Sequence, residues 1–187
     1  PAGDGRAHRP GPGRRRVRLE IGAGEHPDPA YDLHADLLPL PGIQVRCRLD
    51  RLPFGDATIT ALRANHVLEH QSWQLVESTL VEWARVLKPG APVDIGVPDA
   101  RWIAERWLDG SYGTLEANRW LLGGHAERPA HQGTDERGVP RWLWNAHFAL
   151  FDETWLADLL KDTGFTDIDI SRYEVRNLRC HCRRASS

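Results

Sequence analysis

Short apolar and β-branched runs alternate with segments of helical periodicity along most of the chain. Seven runs have the length and composition of β-strands, and they occupy residues 17–21, 31–35, 44–49, 58–64, 91–97, 166–171 and 175–182. We expect the last two to pair antiparallel near one edge of a sheet. Strands that alternate with helices are typical of an α/β protein in which most strands run parallel.

Three segments between or after these runs predict helices. Over 72–87 the apolar residues recur at three- and four-residue steps, which gives the segment one apolar face, and a Lys-Pro-Gly sequence follows as a stop signal. Asp99 is placed to cap the N-terminus of a helix over 100–109. Asp152 is placed in the same way before a helix over 153–162.

Residues 110–147 interrupt the alternation with Gly, Pro, His and Trp in an irregular order. We expect this Trp/His-rich stretch to be an insertion that forms a lid over the carboxyl ends of the strands, where open α/β sheets bind ligands. The fold prediction is a doubly wound, mostly parallel sheet of about seven strands, flanked by helices and with the last strand antiparallel. One such domain would span 16–187, after a flexible basic arm over 1–15.

Composition and charge limit where the protein is expected to be located and which partners it is expected to bind. The chain has 187 residues and a formal net charge of -2 at pH 7. It has no apolar run of the roughly 18 residues that a membrane span needs, and its three cysteines are too few and odd in number for a disulfide framework. We therefore predict a cytoplasmic protein with no membrane partner. The charge balance also disfavours nucleic acid, although the arginine-rich arm leaves that alternative open.

A glycine turn and two carboxylates form the first candidate site. Gly22-Ala23-Gly24 follows the first predicted strand, and such a turn lets backbone N–H groups approach a ligand closely. Pro27 stands where a dinucleotide motif would have its third glycine, which counts against NAD. Asp36 and Asp50 end the second and third predicted strands, where carboxylates can accept hydrogen bonds from ribose hydroxyls or cap loops.

Taken with later motifs, these residues resemble the class I S-adenosylmethionine-dependent methyltransferases, in particular a small branch of the methyltransferase-domain type. The segments that carry the resemblance are Leu19–Gly24, Asp36-Leu37, Asp50–Phe54, Asn65–His70, Trp83–Gly90, Val97–Asp99 and Thr163–Phe165. The resemblance implies a Rossmann-like fold, S-adenosylmethionine as the cofactor and S-adenosylhomocysteine as the product. It also implies that the helix after the first strand is reduced to a turn or missing.

The same resemblance assigns cofactor contacts to individual positions of this chain. Glu20, Gly22, Ala23 and Gly24 are implied to face the methionine part of the cofactor. The ribose is implied to lie against Asp36, and the adenine against Asp50, Arg51 and Leu52. Leu37 is implied to be a further cofactor contact. Asn65 and His66 are implied to lie near the sulfonium, just past the fourth strand.

Candidate catalytic residues come from the chemistry of methyl transfer. The displacement needs positioning above all, and it needs a base only where the acceptor must lose a proton. Histidine suits that task because its pKa lies near neutrality. We expect His147 to be the base or an acceptor ligand, with His66 next and Asp99 after it. The structural alternatives are that His147 braces the lid and that Asp99 caps its helix.

A rival motif occupies part of the same sequence. His66-Val67-Leu68-Glu69-His70 matches H-x-x-E-H, which on a helix would place two histidines on one face with Glu69 as a base. The spacing identifies no third ligand. Cys180-His181-Cys182 falls in a predicted strand, where His181 would point away from the two thiols. We therefore predict no metal site.

The function predicted from the sequence is transfer of a methyl group from S-adenosylmethionine to an oxygen or nitrogen of a small-molecule acceptor. A sugar or a natural-product scaffold is favoured, and the protein is expected to act as a monomer or homodimer. The fourth strand is followed by neither an Asn/Asp-Pro-Pro-Tyr nor a Pro-Cys sequence, which disfavours methylation of nucleic-acid bases. Two alternatives are a non-catalytic cofactor-binding or scaffold protein and a zinc hydrolase that uses the His66–His70 motif.

Overall fold

The computed structural model describes residues 16–127 and 129–186. The basic arm predicted over 1–15 lies outside the described residues. The described part forms one seven-stranded sheet with the order β3-β2-β1-β4-β5-β7-β6. Its strands are β1 (Arg18–Ile21), β2 (Leu33–Asp36), β3 (Val45–Arg46), β4 (Ala61–Asn65), β5 (Pro92–Pro98), β6 (Phe165–Tyr173) and β7 (Asn177–Arg184).

The strand directions confirm the predicted fold class. All neighbouring strands from β3 to β5 run parallel, whereas β7 is antiparallel to both β5 and β6. The order of the strands reverses at β1, which lies between β2 and β4. Ligands bind at such a switch point in open α/β sheets, outside the carboxyl ends of the strands.

Four α-helices pack around the sheet in the described residues. They are α1 (Val76–Val86), α2 (Ala100–Leu108), α3 (Thr114–Leu122) and α4 (Glu153–Asp162). Both predicted caps form, because Asp99 accepts from the Trp102 N–H at 3.0 Å and Asp152 accepts from the Trp155 N–H at 2.8 Å. The α-helix predicted from residue 72 begins later, since residues 73–75 form a 3-10 turn before α1.

The core lies between the sheet and the apolar faces of α1 and α4. Trp83 of α1 is fully buried, and its indole N–H donates to the Leu49 carbonyl at 3.0 Å. Leu156 and Leu160 supply the buried face of α4. Full burial of one large apolar side chain contributes about 1.5–3 kcal/mol, so this spacing fixes which face of each helix meets the sheet.

The predicted and observed elements can be compared in three further parts of the chain, residues 25–32, 44–49 and 110–147. Residues 25–32, between β1 and β2, form turns and no helix, which confirms the predicted loss of the first helix. The third strand is shorter than 44–49, because Arg48 pairs with Asp50 and turns the chain away from β2. Within 110–147, where no helix was predicted, Thr114–Leu122 forms α3, which packs against α2 with Ala117 buried.

Among the residues that the structure describes, no helix combines the length and the apolar character that crossing a bilayer demands.

Candidate active site

A cavity of about 670 Å³ opens at the carboxyl ends of β1, β2 and β4. This volume lies within the range of roughly 300–1,000 Å³ that is usual for small-molecule sites. Its floor comes from the ends of these strands. Its roof comes from a stretch between residues 131 and 148, which we call the roof segment, through His131, Val139, Leu143, Trp144, Asn145 and Phe148. The cavity therefore lies at the switch point of the sheet, under part of the 110–147 stretch.

The glycine turn closes the end of β1 against the start of the turn after β4. Gly22 and Gly24 have left-handed backbones, with φ of 66° and 61°. A Cβ at Gly22 would collide with the side chain of Val67. The Gly22 N–H donates to the Ala35 carbonyl at 2.8 Å, which ties the turn to β2. Only glycine satisfies both the conformation and the close approach here.

Asp36, at the end of β2, is held by the backbone on both of its oxygens. Oδ2 accepts from the Gly24 N–H at 3.0 Å, and Oδ1 accepts from the Leu38 N–H at 2.8 Å. Each carboxylate oxygen has two acceptor sites, so one site on each remains for a ligand. The side chain lines the cavity and therefore offers two acceptors to a pair of neighbouring hydroxyls.

Glu20 is a buried carboxylate on the floor of the cavity, with an exposed fraction of 5%. Its Oε2 accepts from the Asp28 N–H at 2.7 Å, and Oε1 lies 3.8 Å from Arg63 Nε. Burial raises the pKa of Glu20, and the Asp28 N–H and the Arg63 cation oppose that rise. A ligand that carries an ammonium group would compensate the buried charge.

The far wall of the cavity combines one fixed carboxylate with apolar side chains. Asp50 lines it and is held by Arg48, whose Nε and Nη2 donate at 2.9 Å each and lower the pKa of Asp50. The neighbouring Arg51 and Leu52 do not line the cavity, and the Leu52 N–H donates instead to Glu82. The apolar part of the wall consists of Leu37, Leu38, Leu40, Cys47 and Leu49. Only Leu37 of these was singled out from the sequence.

The end of β4 presents Asn65 and His66 to the same cavity. His66 has a left-handed φ of 52°, and its Nδ1 lies 3.1 Å from Glu69 Oε1. The Tyr173 hydroxyl lies 2.9 Å from Asn65 Oδ1 and 3.2 Å from His66 Nε2. Gly96 makes this meeting possible, because a Cβ there would collide with Asn65 Oδ1. No motif in the sequence pointed to Tyr173, which is more than 100 positions from its partners.

Comparisons with known proteins agree with this geometry. A family model described as "Methyltransferase domain" matches residues 30–93, about a third of the chain. A comparison with curated proteins found no match.

Three solved structures illustrate the likeness in fold. The Burkholderia thailandensis 1,6-didemethyltoxoflavin-N1-methyltransferase, with bound S-adenosylhomocysteine, aligns with a TM-score of 0.59 and 21% identity over 92% of this chain and 72% of that one. A possible histamine N-methyltransferase from Thermotoga maritima aligns with a TM-score of 0.59 and 17% identity over 91% and 83%. The CurJ carbon methyltransferase aligns with a TM-score of 0.55 and 19% identity over 94% of this chain and 50% of that one.

The chain therefore has the fold of the class I S-adenosylmethionine-dependent methyltransferases, and its residues 30–93 match the methyltransferase-domain family model. S-adenosylmethionine is the cofactor that the sequence analysis expects, and one compared structure holds its product, S-adenosylhomocysteine. The residues present fit that molecule. Asp36 offers acceptors for two ribose hydroxyls, Glu20 offers a buried carboxylate for the methionine ammonium, and the Gly22 turn leaves room beside both.

Two of the predicted catalytic residues lie away from the cavity lining. Asp99 is buried, caps α2 and accepts from Arg172 Nη2 at 2.9 Å. His147 lies behind His70, with ring centroids 5.1 Å apart, and burial lowers the pKa of His147 to about 4. The structure brings His66 to the cavity and does not bring His147 or Asp99 there. Their catalytic roles stay predictions.

The His66–His70 motif also differs from the zinc-hydrolase geometry. Leu68–His70 forms a single 3-10 turn, and His66 precedes it in a left-handed conformation. The two histidines are therefore not successive ligands on one helical face. The His70 ring lies instead against the ring of His147, at the end of the 110–147 stretch.

Proposed function

We propose that this methyltransferase moves the methyl group of S-adenosylmethionine to an oxygen or nitrogen of a small molecule bound beneath the roof segment. The observation that carries the proposal is the position of His66. It lines the same cavity as Glu20 and Asp36, and two side chains fix its imidazole.

The cofactor residues divide the molecule between them. Glu20 would pair with the ammonium group, Asp36 would accept from the ribose hydroxyls, and Asp50 would accept from the adenine amine. The apolar wall that begins at Leu37 would cover the adenine face. When bound, the cofactor supplies an electrophilic methyl group on its sulfonium. This arrangement would direct that methyl toward Asn65 and His66.

His66 would take the proton of an acceptor that must lose one. With Nδ1 donating to Glu69 Oε1, the proton would arrive at Nε2. Nε2 has one lone pair, so the Tyr173 hydroxyl beside it would give way to the acceptor for this transfer. The protonated Nε2 could then donate to that hydroxyl, which in turn donates to Asn65 Oδ1. A positioned base of this kind contributes about 10²–10⁴-fold in rate.

The shape of the cavity supports a small acceptor. The cofactor and the acceptor would share about 670 Å³. The roof segment contributes Leu143, Trp144 and Phe148 together with the amide of Asn145. Apolar faces with a few polar groups suit a sugar or a natural-product scaffold. The compared structures include N-methyltransferases and a carbon methyltransferase, and this fold therefore does not determine the acceptor atom. Oxygen or nitrogen as the acceptor atom is part of the proposal. The cytoplasmic location and the monomer or homodimer remain predictions.

The first test is calorimetric titration with S-adenosylmethionine and S-adenosylhomocysteine. We expect Asp36→Ala to weaken binding by about 1–3 kcal/mol, because it removes acceptors in a half-buried site. Asp158→Ala, an exposed carboxylate on α4, is the matched control and should bind as wild type does. Equal affinity of both variants would reject the cofactor assignment.

The second test follows acceptor turnover in His66→Ala. Wild-type binding of S-adenosylmethionine with turnover reduced by about 10²–10⁴-fold would support the role of His66. An acceptor methylated equally well by wild type and His66→Ala would contradict that role. A folded protein that binds the cofactor but methylates no acceptor in a broad screen would favour the non-catalytic alternative.

A further inference from the structure

A cluster of three metal-ligating side chains lies beside the cavity. Glu69, His70 and His147 each offer one ligand atom, and these atoms lie within 4.8 Å of one another. Two come from the turn after β4, and the third comes from the end of the 110–147 stretch. His66, the first histidine of the H-x-x-E-H sequence, is not a member of the cluster.

Glu69 carries a buried carboxylate that the protein leaves half satisfied. Its exposed fraction is 1%, and Oε1 lies 3.1 Å from His66 Nδ1. Oε2 is buried and accepts no hydrogen bond from the described residues. A buried carboxylate oxygen without a partner is costly unless a cation or a donor meets it.

Both imidazoles are oriented as metal ligands usually are. His70 Nδ1 lies 3.0 Å from the Ala146 carbonyl, so Nδ1 carries the proton and Nε2 is left bare. A carbonyl on one ring nitrogen fixes the tautomer and turns the other nitrogen toward the metal. His147 also has a backbone hydrogen bond, with Trp120.

We propose that Glu69, His70 and His147 bind a divalent transition-metal ion, with Zn²⁺ favoured. Two imidazoles and one carboxylate are typical ligands of zinc, whereas Mg²⁺ and Ca²⁺ prefer oxygen ligands alone. Zinc–ligand bonds of about 2.0–2.2 Å require the three atoms to draw closer than 4.8 Å on binding. A fourth position is left for water.

The metal would hold the roof of the cavity to its floor. The His147 N–H already donates to the Leu122 carbonyl, and the Phe148 N–H donates to the Glu69 carbonyl at 2.8 Å. A metal bond from His147 to Glu69 and His70 would tighten the same junction, next to Phe148 of the roof segment. This role goes beyond the proposed function, and no step of methyl transfer passes through the metal.

The test is titration of chelator-treated protein with Zn²⁺ in the absence of cofactor and acceptor. We expect one saturable equivalent by calorimetry and by elemental analysis, and a higher melting temperature with the metal. Titration with Co²⁺ should give the visible absorption of a four-coordinate site with nitrogen and oxygen ligands. Far-UV circular dichroism establishes that every variant is folded.

The variants separate ligands from bystanders. Loss of a group that only orients a metal ligand lowers metal affinity by roughly 10–100-fold. Glu69→Gln and His147→Asn should each lower Zn²⁺ affinity by more than this. His66→Gln changes the donor to Glu69 and none of the proposed ligands, so its loss of Zn²⁺ affinity should stay within the roughly 10–100-fold range. His181→Ala is the control, because it removes an exposed histidine of β7 between two cysteines and should leave binding unchanged.

Three outcomes would overturn the proposal. They are the absence of saturable binding to folded protein, unchanged affinity in both Glu69→Gln and His147→Asn, and loss of binding in His181→Ala. Cofactor binding is measured separately, so failure of the metal site leaves the methyltransferase assignment intact.

Discussion

The two halves of the cavity are built in different ways. On the cofactor side, Asp36 binds Leu38 two positions away and Gly24 twelve positions away. On the acceptor side, Tyr173 meets Asn65 across 108 positions, and His70 meets Ala146 across 76. The first half is a local motif, whereas the second is assembled by the sheet and the roof segment. Local motifs can be found in one sequence, and assembled ones require the fold.

The largest expected effect concerns the glycine turn, on the cofactor side of the cavity. Gly22→Ala would place a Cβ against Val67 and force a left-handed φ on alanine, so we expect a loss of about 3 kcal/mol or more in the free energy of unfolding. Chemical denaturation measures it. Gly110→Ala is the matched control, since Gly110 has a φ of 80° with nothing within 4 Å of a Cβ and pays for conformation alone. Equal losses would show that the contact with Val67 is unimportant.

An intermediate effect concerns the charge of Glu20. Because burial raises its pKa in the folded protein, Glu20 takes up a proton at a higher pH than an exposed glutamate does. Only the ionised form pairs with the ammonium of the cofactor, so affinity should be full above that pKa and fall as the pH drops through it. Calorimetry across the acid range measures this dependence.

Glu20→Gln supplies the control for that pH profile. We expect it to lose about 1.5–3 kcal/mol of cofactor affinity at neutral pH, the scale of a charged hydrogen bond. Its affinity should then vary little with pH in the acid range. A variant that keeps the wild-type slope would place the titrating group elsewhere.

The smallest expected effect concerns the acceptor side of the cavity. Tyr173→Phe removes one hydroxyl that bridges Asn65 and His66. We expect the activation free energy of turnover to rise by about 0.5–1.5 kcal/mol, with little change in cofactor affinity. Steady-state kinetics with an identified acceptor separates the two. An equal loss in cofactor affinity would mean that the hydroxyl orients the cofactor and not His66.

The sequence predictions succeeded where the determining contacts are short. The caps Asp99 and Asp152 each accept from an N–H three positions away, and the left-handed backbones of Gly22 and Gly24 belong to the turn itself. The fold class followed from strand and helix periodicity, which is also local.

The predictions were incomplete where distant packing decides the position of a side chain. Leu52 does not line the cavity, and its N–H donates to Glu82 of α1, thirty positions away, so its place at the adenine stays a prediction. Tyr173 carries no motif, and the third member of the metal cluster could not be found from the spacing of His66 and His70. Helix α3 was missed because its apolar face is short and is completed only by α2.

The position of β7 between β5 and β6 has a consequence for how the protein is made. Tyr173 ends β6, yet β6 joins the sheet only through β7, which follows it in the chain. A ribosome must therefore deliver the chain as far as Arg184 before the hydroxyl can reach Asn65 and His66. The glycine turn and Asp36 leave the ribosome much earlier. During synthesis, the residues of the cofactor side of the cavity are therefore available before the acceptor side can be completed.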